Sequence, residues 1–82
     1  MGKKEKILAK LFTGQADYNF QFQDLIYLLI SMGFKHRQSG SHNIFTKKGV
    51  EERINLQADG SKAKGYQVKQ VRQILTKYKI ES

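Results

Sequence analysis

Apolar residues recur at three- and four-residue spacing in three stretches of this chain, and at two-residue spacing between the second stretch and the third. From Lys3 to Phe12, the residues Ile7, Leu8, Leu11 and Phe12 fall on one helical stripe that ends near Gly14. From Gln23 to Met32 the stripe is Leu25, Ile26, Leu28, Leu29 and Met32. Gly33 follows as a left-handed cap, and Phe34 is placed to fold back on Leu29. A last helix over Gln67 to Tyr78 aligns Val68, Val71, Ile74, Leu75 and Tyr78. Between the first two helices, Asp17 to Gln23 alternates Tyr18, Phe20 and Phe22 and reads as an extended connector that packs its aromatics.

The middle of the chain reads as strands. Phe34 to Ser39, Asn43 to Lys47 and Arg53 to Gln57 are short runs, separated by Gly40-Ser41 and by Lys48-Gly49-Val50. Asp59-Gly60-Ser61 signals a turn, and Lys62 to Gly65 continues it as a basic loop. The order α–α–β–β–β–α predicts an α+β fold in which a three-stranded antiparallel sheet packs helices on one face. The other face is left open for a ligand. Strand parity then divides the second run: if Phe45 points into the core so does Asn43, while His42, Ile44 and Thr46 share the open face.

A chain of 82 residues suits one domain, because so short a chain buries only roughly 60–65 % of its unfolded surface and has no room for a separate catalytic module. With no cysteine, disulfides, thiolate nucleophiles and cysteine-ligated zinc are excluded. No apolar run reaches the roughly 20 residues that span a bilayer, and no secretory apolar segment follows Met1-Gly2-Lys3-Lys4. The expectation is a cytoplasmic protein without membrane contact. The formal charge of +8 is unevenly placed: from Lys35 to Lys79 there are eleven basic residues and three acidic ones. Such a surface holds phosphodiesters, although lysine also serves plain solubility.

Candidate chemistry centres on His42, an imidazole at the start of a strand beside the Gly40-Ser41 turn. Imidazole gives and takes protons near neutral pH. RNA carries its own nucleophile, the 2′-hydroxyl, so one base can promote attack on phosphorus without a metal or an activated water. Nearby cations can stabilise the charge that develops. On this reading His42 is general base or acid, and Arg37, Lys47, Lys62 and Lys64 are candidate phosphate ligands. Ser41 lies in the same turn, and Lys69 and Arg72 extend the basic stripe along the last helix. By residue type alone His42 reads first as an ordinary strand histidine with local hydrogen bonds, and His36 as a surface or sheet histidine. Tyr66 is assigned to core packing in preference to base stacking. Other schemes fare poorly. Carboxylates are sparse, two histidines without cysteine make no convincing zinc site, and no phosphate-binding glycine loop is present.

Four segments carry a family resemblance: Gly33-Phe34, Arg37 to Phe45 through the Gly40-Ser41-His42 triplet, Ile54 to Gln57, and Gly60 to Gln70. In this order, with a helix before and a basic loop and helix after, the chain resembles the HicA-type toxins of bacterial toxin–antitoxin pairs. The likeness spans Phe20 to Ile80. Residues 1–19 correspond to a helical extension and connector found in one branch, and residues 20–80 to the core. The resemblance implies a compact fold like that of double-stranded-RNA-binding domains, an mRNA endonuclease activity and no cofactor. It also implies an antitoxin of the HicB type that covers the basic face and His42. Relatives often carry a second histidine where this chain has Asn43, and prolines near the positions of Ala58 and Gly65, whereas this chain has none. Lys62 and Lys64 before a helix are similar to the lysines with which double-stranded-RNA-binding domains hold phosphates.

Overall fold

The computed structural model describes residues 2–15 and 17–78. Lys79 and Ile80, the last positions of the expected core, lie outside them. Helix α1 spans Lys3–Thr13 and closes at Gly14. Helix α2 spans Phe22–Ser31 and begins one residue before the spacing predicts. Its end is the expected capping motif: the Phe34 N–H donates to the Leu29 carbonyl at 3.1 Å, and the Gly33 N–H to that of Ile30 at 3.1 Å. Gly33 takes φ 94°, which a side chain rarely tolerates, and Phe34 is buried with Leu29.

Three strands follow, β1 (Lys35–Ser39), β2 (His42–Lys47) and β3 (Val50–Leu56), antiparallel in the order β1-β2-β3. The turns are tighter than the sequence suggests. Ser39 pairs with His42 across Gly40-Ser41, and Lys47 with Val50 across Lys48-Gly49. Gly40 and Gly49 both take positive φ there, so β2 starts at His42 itself and β3 three residues before the expected Arg53. A register shift between Phe45 and Lys47 bends the β2–β3 pair.

The stretch read as a loop contains a second, two-stranded hairpin, β4 (Ala58–Asp59) with β5 (Lys62–Ala63). It has a partner, which is why it orders. The Ala63 N–H donates to the Phe20 carbonyl at 2.8 Å and the Phe22 N–H to that of Ser61 at 3.0 Å. The connector and the hairpin thus satisfy each other's backbone groups. Helix α3 then runs Gly65–Lys77, starting two residues before the expected Gln67, with the Lys64 carbonyl accepting from the Gln67 and Val68 N–H groups.

One core joins every layer. Ile7 and Leu11 of α1, Leu25, Leu28 and Leu29 of α2, Phe45, Ile54 and Leu56 of the sheet, and Val68, Val71 and Leu75 of α3 are all buried. Each such side chain contributes about 1.5–3 kcal/mol by leaving water. Phe20 of the connector and Phe22 at the start of α2 join them, but Tyr18 does not.

At the far end of α3, Glu52 accepts from the Tyr78 hydroxyl and, at 2.9 Å, from the Lys77 ammonium. These donors, Tyr78 first, hold the Glu52 carboxyl down to about 2 from 4.5. A carboxyl lowered on folding stabilises the fold above its unfolded value and ceases to do so as the pH falls through its folded one. Between pH 4.5 and 2, urea unfolding of Glu52→Gln should therefore depend less steeply on pH than that of the wild type. Identical slopes would remove the contribution.

Candidate active site

The alternation of β2 sets the direction of each side chain. Phe45 and Asn43 are buried against the helices, so His42, Ile44 and Thr46 stand on the open face. His42 is exposed, and its Nδ1 lies 3.2 Å from Asn55 Oδ1 of β3. An amide oxygen only accepts, so the ring donates from Nδ1 and, when neutral, keeps its lone pair on Nε2. Ser41 Oγ accepts from Gln57 Nε2 at 3.0 Å, which ties the turn to the end of β3.

The register builds the rest of the face in rungs. His42 stands opposite Ser39; the next open-face rung is Arg37, Ile44 and Asn55; beyond it Lys35 faces Thr46. Lys35, Arg37, Ile44, Thr46 and Arg53 line a shallow cleft, with His36 at its side. Three cations surround a half-buried isoleucine, and among the described residues no carboxylate lines the cleft. His42 is not in the cleft wall. It stands one rung away from Arg37 and Ile44, a step of roughly 7 Å along the strand.

A second groove starts from the same turn. Ser41, Asn43 and Gln38 line it on the sheet side, and Gln21, Gly60 and Ser61 on the connector and hairpin side. On the hairpin side, Lys62 bridges by its backbone to Gln21.

The candidate residues therefore divide. His42 and Arg37 share the open face, while Ser41 lies in the adjoining turn and lines the second groove. Lys62 lies on β5, Lys64 immediately precedes α3 and Lys69 is on its second turn, and none of the three is among the residues that line either groove. Lys47 has the parity of Phe45 and turns away from the open face, with its Nζ near the Phe34 ring and the Gly33 backbone at the end of α2.

Arg72 is spent on the fold. Its Nη1 and Nη2 donate to Asp17 Oδ1 and Oδ2 at 2.8 and 3.0 Å, and Nη1 also donates to the Leu11 carbonyl at 3.0 Å. The guanidinium holds the buried Asp17 carboxyl below its usual range, chiefly by hydrogen bonding, and the pair raises Arg72 in turn. A forked guanidinium with all these acceptors has little left to offer a phosphate.

Three positions of the candidate site escape the sequence reading as ligands: Lys35, Arg53 and Asn55. Their signal was the alternation of Arg53 and Asn55 against the buried Ile54 and Leu56, and the pairing that sets Lys35 opposite Thr46. His36 lies on the other side of its strand. Its ring stacks on Phe45 at 4.6 Å between centroids, and Nε2 donates to Asn43 Oδ1 at 2.8 Å. Tyr66, assigned to core packing in preference to base stacking, is instead 65 % exposed. It lies in the first turn of α3 beside Gln67, and Gln67 takes the buried position.

Among the described residues, no three His, Asp or Glu side chains converge as a metal site, and no helix is long and apolar enough to cross a membrane. No family model, curated protein or solved structure matches the chain.

Proposed function

We propose that this chain is a metal-independent mRNA endoribonuclease, acting in the cytoplasm as the HicA-like toxin of a toxin–antitoxin pair. The observation that carries the reading is the His42 ring. It faces solvent, is oriented through Nδ1 by Asn55, and stands one rung from a cleft bordered by Lys35, Arg37 and Arg53. A ribose seated there presents its 2′-hydroxyl to Nε2. His42 takes the 2′ proton as that oxygen bonds to phosphorus, and the bond to the 5′-oxygen breaks. The departing oxygen takes a proton from water. The products are a 2′,3′-cyclic phosphate and a 5′-hydroxyl, and the cations offset the added negative charge of the phosphorane. An antitoxin of the HicB type, acidic or shape-matched, would cover this face and bury Ile44 with it.

The same cations support a second reading, a noncatalytic RNA-binding module. Incubation of the purified chain with a long single-stranded RNA in EDTA separates the two. The enzyme leaves cyclic-phosphate ends on the RNA and spares DNA of the same sequence, which lacks the nucleophile. Intact RNA that nevertheless stays bound assigns the module. Fragments ending in a 3′-hydroxyl exclude the 2′-hydroxyl route.

A further inference from the structure

Tyr18 is 78 % exposed, yet its ring is not loose. It lies against Gly65, the first residue of α3, so closely that a Cβ there would stand 2.6 Å from Tyr18 Cε1. Gly65 is not among the residues with positive φ, so its backbone torsions do not call for glycine. The ring does. Alanine at position 65 would force the ring away, so glycine here leaves room for a ring that rests on the surface of the protein. Interior packing gains nothing from the arrangement.

The surroundings are cationic. The Lys69 ammonium sits 5.8 Å from the centre of the Tyr18 ring. Lys64 caps α3, Lys62 lies on β5, and Tyr66 is a second exposed ring on the same first turn. A preset aromatic face bordered by lysines is how proteins hold unpaired nucleotides, since every base offers a face to stack and every nucleotide a phosphate. A duplex keeps its bases in the stack and would leave the ring unused.

We infer that Tyr18 is a stacking seat for one base of single-stranded RNA, with Lys64 and Lys69 on the flanking phosphates. The seat rests on the RNA-binding half of the proposed function and not on cleavage.

The test is fluorescence anisotropy with a short, labelled, single-stranded RNA and the full chain carrying His42→Asn, which removes cutting from the measurement. Adding Tyr18→Ala should weaken binding by roughly five- to a hundredfold, the loss expected for one stacked base, without changing its salt dependence. Tyr18→Phe keeps the ring and should bind like the parent. Lys64→Ala and Lys69→Ala should each lower the salt slope. Since Tyr18 fills no cavity, urea midpoints should match throughout the tyrosine series. Unaltered affinity in Tyr18→Ala overturns the seat, whether or not the wild type cuts RNA. Affinity that depends on Tyr18 in a chain that never cuts leaves the seat standing and removes the nuclease. No binding at low salt removes both.

Discussion

Replacing His42 by alanine should lower RNA cleavage by roughly 10²–10⁴-fold, the share that one positioned proton-transfer group supplies, and should abolish growth arrest when the chain is expressed in a bacterial host. The loss would be chemical and not structural. The ring is exposed and its one side-chain partner is Asn55 Oδ1 at 3.2 Å. Surface changes of this kind usually alter stability by no more than about 0.5 kcal/mol. Single-turnover cleavage in EDTA reads the first effect, and the urea midpoint of the same preparation reads the second. His36→Ala makes the useful contrast. It removes a ring stacked on the buried Phe45 and strips buried Asn43 of its donor, so it should destabilise the protein while folded molecules still cut. Wild-type cleavage by His42→Ala would sink the enzyme reading. A collapse of its urea midpoint would instead make His42 structural.

Arg72→Ala should behave in the opposite way, losing fold and not affinity. Removing one partner of a fully buried ion pair costs about 3–5 kcal/mol. The Arg72 side chain is 22 % exposed against 6 % for Asp17, so about 2–3 kcal/mol is a fair discount. For a chain this short that lowers the melting temperature by roughly 10–20 °C. The pH dependence follows from the depressed Asp17 carboxyl. Its contribution is present above the unfolded value of 3.8 and disappears as the pH falls through the folded one. The gap between wild type and Arg72→Ala should therefore be widest near neutrality and narrow in acid. Among molecules that remain folded, the salt slope of RNA binding should be unchanged. A slope reduced by about one would put Arg72 on a phosphate after all.

How much of this was legible depends on the range of the force involved. The facing of His42 could be read because strand parity is rigid and Phe45 is too large and apolar to point outward. The α2 cap could be read because Gly33 and Phe34 follow the helix directly. Arg72 could not, because its partner Asp17 is 55 residues away, and a cation on a helix stripe looks the same whether it meets solvent or a carboxylate. Lys47 was misplaced by weighing its charge over its parity, which it shares with Phe45. Tyr18 and Tyr66 were misread because a tyrosine is apolar enough to complete a pattern and polar enough to leave it. The β4–β5 hairpin escaped because the partner of its backbone, the Phe20–Phe22 connector, lies forty residues upstream. Lys35 and Arg53 acquire meaning only when the register sets them around Ile44.

Tyr78, described above for its hold on Glu52, also accepts from the Glu51 N–H at 3.3 Å. Glu51 belongs to β3, an outer strand, so this hydroxyl occupies a backbone group that a visiting strand would need. Outside the hairpins, β1 is then the more accessible border for lateral addition, and it presents Lys35, His36 and Arg37. A second copy approaching there meets its own charges. Lateral growth into ribbons is thus opposed at one position of β3 by this hydroxyl and along β1 by charge repulsion, and high salt weakens only the latter.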